Sequence, residues 1–98
     1  MAVSQLQLLT GPTETSAQRA RRLQAEARAA AVEQIELLED ALVRVARLSS
    51  EIAEGGDAYP PGARDLSRRL TGDAAWCAQT LDAILRHIGE RRTIVEVN

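Results

Sequence analysis

Residues 15–53 read TSAQRARRLQAEARAAAVEQIELLEDALVRVARLSSEIA, thirty-nine positions without a glycine or a proline. Ala, Leu, Glu, Gln and Arg dominate, all side chains that lose little freedom on entering a helix. Two rows recur with period seven. Ala31, Leu38, Val45 and Ile52 form one, and Ala27, Gln34, Ala41 and Leu48 form the other. Taken as heptad positions a and d, they draw an apolar stripe from about Ala20 to Ile52. Ile35 and Leu42 at e and Leu37 at g widen it. A face this broad predicts a bundle rather than an isolated two-stranded coil.

Working outward, Gly55-Gly56 closes the helix, since glycine suits the left-handed residue that follows one. Asp57-Ala58-Tyr59-Pro60-Pro61-Gly62 reads as a stiff connection, because proline fixes its own φ and drives its predecessor out of the helical region. A second helical pattern begins at Ala63. One row holds Ala63, Leu70, Cys77 and Ile84; the other holds Ala74, Leu81 and Ile88, with Leu66 one position early. Gly72 costs about 1 kcal/mol against alanine but leaves the phase unbroken, so one helix is expected, with a break at Thr71-Gly72-Asp73 as the lesser alternative. Gly89 is the expected stop.

The fold expected is all-α: an antiparallel helical hairpin of two long helices, about 15–54 and 63–89, joined by a loop at 55–62. An N-terminal segment, 1–13, with Leu6, Leu8 and Leu9, precedes it, and a β-branched tail, 91–98, follows. The first helix is expected to exceed the second by roughly ten residues at about 1.5 Å each, leaving Ala20 and Leu23 beyond its partner's end. Folding about Ala58 would set Asp73 near Arg44 and Arg86 near Glu33. Two helices cannot close a core, and a two-fold dimer forming a four-helix bundle is the commonest remedy. Basic residues 19–28 and acidic residues 33–40 would complement one another if two first helices crossed antiparallel near Ala30.

Composition bounds the function. Ninety-eight residues make one domain, and a core of that size is thin. Twelve basic and fourteen acidic residues leave a net charge of −2, against the basic footprint of a dedicated nucleic-acid binder. All twelve basic residues are arginine. One Trp, one Tyr and no Phe exclude base-stacking modules built on aromatic pairs. Cys77 is the sole cysteine, so neither an intrachain disulfide nor a multi-cysteine zinc site can form. The N-terminus lacks a secretory pattern, the longest apolar run is far too short for a membrane span, and the expected location is cytoplasmic.

No motif carries chemistry. His87 invites comparison with phosphorelay bundles, but its expected place in a last turn suits an imidazolium on electrostatic grounds alone. Glu-x-x-His spacing is absent, since Ile84 stands three before His87, and Glu33, Glu36, Glu39 and Asp40 read as a solvated face. Cys77 reads as a small core residue. No glycine-rich phosphate loop is present. Catalytic, cofactor and metal residues are therefore expected to be none. Arg19, Arg21 and Arg22 open the first helix, and Arg64, Arg68 and Arg69 open the second, where cations are mildly unfavourable. They either contact an acidic partner or pair with Glu26, Asp65 and Asp73.

The reading favoured by the sequence is a non-enzymatic interaction or regulatory module, a homodimer or the companion of another helical protein. Leu38, Leu42, Val45, Trp76 and Leu81 are its expected interface. A nucleic-acid accessory protein using the two arginine groups comes second, and a phosphorelay-type bundle using His87 third.

Overall fold

The computed structural model describes the backbone of residues 13–97 and the side chains of residues 13–90. The leucines at 6, 8 and 9 lie outside that range. Two helices, α1 (Ser16–Ala53) and α2 (Pro61–Val97), flank a single 3-10 turn at Gly56–Ala58. The chain divides between Ala31 and Val32 into two compact units.

In the first unit the start of α1 is fixed by reciprocal bonds. The Gln18 N–H donates to Thr15 Oγ1 at 3.0 Å, and the Thr15 N–H donates to Gln18 Oε1 at 2.8 Å. This capping box satisfies donors that a helix end would otherwise leave open. Arg22 binds Glu14 through Nε and Nη2 at 2.8 and 3.1 Å and reaches Glu26 through Nη1 at 3.1 Å. Every described side chain from Thr13 to Ala31 is exposed.

The second unit is the hairpin. Glu39 of α1 meets Asp82 of α2, while Ser50, Ala53 and Glu54 share a shallow depression with Arg68 and Thr71. Residue numbers thus fall along α2 as they climb along α1, and the helices are antiparallel. The turn needs both of its glycines. Gly56 has φ +74°, the left-handed region that L side chains avoid. A Cβ on Gly55 would come within 2.1 Å of the Tyr59 ring. The Pro60 carbonyl accepts the Arg64 N–H at 3.1 Å, and Pro61 opens α2, where its missing N–H costs nothing.

Several expectations are corrected. Because Pro61 starts α2 two residues early, the fold point moves past Ala58 and the register shifts by about half a turn to a turn. Arg86 therefore bonds Asp82 within its own helix instead of reaching Glu33, and Asp73 lies beyond Arg44, roughly opposite Leu48. Neither Gly72 nor Gly89 interrupts α2, which continues through the β-branched tail to Val97. The helices are consequently near equal, 38 and 37 residues. Glycine in a helix costs about 1 kcal/mol, too little to stop a helix with favourable residues on both sides.

In α1 the helix-helix seam lies beside the a and d rows, whereas in α2 it takes in Ala74 and Leu81 of the second row read from the sequence. In α1 the inward residues are Ile35, Leu42 and Ser49 at e, with Val32, Glu39, Ala46 and Ala53 at b; all are buried or half-buried. Carrying the same lettering to α2 with Ala63, Leu70, Cys77 and Ile84 as a, the inward residues are Ser67, Ala74 and Leu81 at e, with Arg64, Thr71, Ala78 and Leu85 at b. Among the described residues the fully buried ones are all small: Ser49, Ser67, Ala74 and Ala78. Small side chains at the contact let helix axes approach closely, and the neighbouring Leu and Ile close over the gap. The Ser49 hydroxyl donates to the Val45 carbonyl at 2.6 Å, which satisfies it inside its own helix.

Candidate functional site

Around a heptad helix the positions run a, e, b, f, c, g, d. A seam at e and b therefore leaves a and d together on one flank, with g at the outer border of that flank and f and c on the opposite one. The a/d flank lies on the same rotational side of the seam in both helices. In an antiparallel pair this brings the two flanks onto one side of the hairpin. That side carries the large apolar side chains that the seam does not use. Leu38 is 52% exposed, Leu48 60%, Leu70 43% and Ile84 46%. Val45, Ile52 and Cys77 lie half-buried between them, and Trp76, at g, borders the face at 67% exposure.

The five residues expected to form the interface are thus divided. Leu38 and Trp76 are exposed on this face or its border, and Val45 is half-buried beside Leu38. Leu42 and Leu81 belong to the intrachain seam instead. Leu48, Leu66, Leu70 and Ile84 belong on the face; what sequence reasoning missed was the b row, Val32, Glu39, Ala46 and Ala53 in α1 and Arg64, Thr71, Ala78 and Leu85 in α2, as the other half of the seam.

The arginine groups go partly to local carboxylates. Arg22 is bound by Glu14 and Glu26, and Arg68 donates to Asp65 at 2.6 Å. Arg64 is half-buried on the seam, and its Nε has no hydrogen-bond partner. Arg19, Arg21 and Arg69 are exposed. His87 is exposed at a d position, ten residues before the end of α2, so the end-of-helix dipole does not account for it. Among the described residues no group of three or more His, Cys, Asp or Glu is placed to hold a metal ion, and none of the helices is long and apolar enough to cross a membrane.

One polar contact went unread in the sequence. Glu39, partly buried on the seam, has its carboxyl pKa raised, first by desolvation and then by the charges of Asp82 and Asp40. Arg86 draws Asp82 from the other side. The sequence reading placed Glu39 on a solvated face because it falls in an acidic run with Glu33, Glu36 and Asp40.

No protein-family model, curated protein or solved structure matches this chain.

Proposed function

We propose that this protein is a non-enzymatic helical interaction module that acts by having the a/d face of its hairpin covered by another protein surface. The observation that carries the reading is the inversion of side-chain size. The fully buried seam residues are alanine and serine, with Ile35, Leu42, Leu81 and Leu85 half-buried around them, while Leu38, Leu48, Leu70 and Ile84 remain about half exposed. Fully burying such a side chain contributes roughly 1.5–3 kcal/mol, so about half of that per residue is still to be gained on association. A contiguous face of this kind marks an interaction surface more often than an idle one. The lone thiol of Cys77 suits a reducing, cytoplasmic setting.

The nucleic-acid reading draws less support. Arg22 and Arg68 are already neutralised by carboxylates, and the whole chain carries net charge −2.

The test is capture of the tagged chain from its own cells, followed by the native mass of the recovered complex. The wild-type chain is expected to return with a second polypeptide, either another copy or a different protein. The double substitution Leu38→Asp and Leu48→Asp, at exposed positions, is expected to keep its helical circular dichroism and return alone. A wild-type chain recovered alone overturns the reading.

A further inference from the structure

We infer that Glu39 and Asp82 form a proton-operated clasp across the hairpin. A proton taken up from solvent by Glu39 lets its carboxyl O–H donate to the Asp82 carboxylate and fastens the half of the hairpin away from the turn. Loss of that proton releases it.

The register places the pair. Ser50 and Ala53 share one depression with Thr71 and Arg68, and the same antiparallel register carries Glu39 to Asp82, about 20 Å from the end of α1 at 1.5 Å per residue. Both side chains are half-buried. Packing differs on the two sides of this level. Among the described residues every fully buried side chain, Ser49, Ser67, Ala74 and Ala78, lies between the pair and the turn. On the far side the seam holds Val32 and Ile35 of α1 and Leu85 of α2, all only half-buried. A stretch with few buried contacts opens at lower free energy than a packed one. The pair therefore stands where packing begins to hold the helices least.

The surrounding charges give the proton its effect. Glu39 is faced by Glu36 and Asp40 from α1 and by Asp82 from α2. Arg86 binds Asp82 within α2, so one guanidinium serves four carboxyl groups. With Glu39 ionised, carboxylate opposes carboxylate across the seam, a like-charge contact that disfavours closure. With Glu39 protonated, its O–H meets a carboxylate that Arg86 already compensates, and bonds of this charge-assisted kind are short and strong. The raised pKa of Glu39, from burial and then from the charges of Asp82 and Asp40, agrees with a proton held by the closed form. Closure is therefore favoured in acid and lost as pH rises through the raised value. Leu38 and Ile84 flank the pair on the a/d side, so the spacing of that face at this level follows the same proton.

The experiment uses the full chain with two pairs of spin labels, each in a Cys77→Ala background. Gln34→Cys with His87→Cys lies beyond the clasp, and Leu48→Cys with Asp73→Cys lies between it and the turn. Both pairs join d positions that the register sets opposite one another, and all four side chains are exposed. From about pH 4.5 to about pH 8, a span that deprotonates a raised glutamate, the far pair is expected to broaden and lengthen while the near pair stays unchanged. Glu39→Gln, which keeps a neutral donor at every pH, is expected to hold the far pair at its short distance throughout. A far pair unmoved by pH, both pairs opening together, or a response that survives Glu39→Gln would overturn the clasp. The carboxyl carbon of Glu39, titrated by nuclear magnetic resonance in the unlabelled chain, gives a second reading. Asp82→Asn is expected to lower its midpoint and Arg86→Gln to raise it; a midpoint that Asp82→Asn leaves unchanged would overturn the pairing.

Discussion

Replacing Ala74 by leucine reverses the usual expectation that a larger apolar side chain helps a thin core. Ala74 is 2% exposed, at the middle of the seam, with Ser67 two turns before it and Ala78 one turn after it as buried neighbours on α2. Three added carbons have no space to enter, so the helices must separate or the leucine must leave its preferred rotamer. Overpacking of that kind costs about 1–3 kcal/mol. For a domain of this size each kcal/mol lowers the melting temperature by about 4–8 °C, which puts the expected loss between roughly 4 and 24 °C. The matched control is Ala83→Leu, exposed at a g position, for which a change within about 0.5 kcal/mol is expected. Thermal melts of the three proteins followed by circular dichroism at 222 nm make the comparison. An Ala74→Leu protein as stable as wild type, or more so, would refute the account of a seam held close by small residues.

Gly72→Ala should stabilise α2 by about 1 kcal/mol, since nothing lies within 4 Å of the added Cβ; an unchanged urea midpoint would contradict the unbroken helix. Gly56→Ala should cost about 1–2 kcal/mol through its left-handed backbone, read by the same denaturation. Glu39 has its carboxyl pKa raised by burial and by Asp82, so the folded chain binds its proton more tightly than the unfolded chain does. The contribution of this group is therefore favourable in acid and declines as pH rises through the window between the ordinary carboxyl value and the raised one. Glu39→Gln should accordingly melt above wild type at neutral pH, with the gap closing as pH falls below the carboxyl range; a gap independent of pH would contradict the assignment.

The all-helical hairpin was legible because its signals are local. The glycine-free run at 15–53, Gly55-Gly56 and the proline pair each act over a few residues. The heptad rows were legible too, but their use was not. Hydrophobicity alone makes Leu38 and Leu48 better seam residues than Ala46 and Ser49. What decides the seam is how closely two backbones can approach across Ala74, Ala78, Ser49 and Ser67, a relation between residues far apart in sequence. The same long-range dependence hid the Glu39 and Asp82 contact, which exists only in one register. The end of α2 was misread for a different reason. Gly89 and the β-branched residues after it disfavour a helix by amounts that an already formed helix outweighs.

The proposal that the exposed leucine and isoleucine face is covered by another protein surface is tested most directly by the native mass of the tagged chain recovered from its own cells, beside that of the Leu38→Asp and Leu48→Asp double variant. The expected result is a second polypeptide with the wild-type chain and none with the double variant. A wild-type chain recovered alone at monomer mass would contradict it.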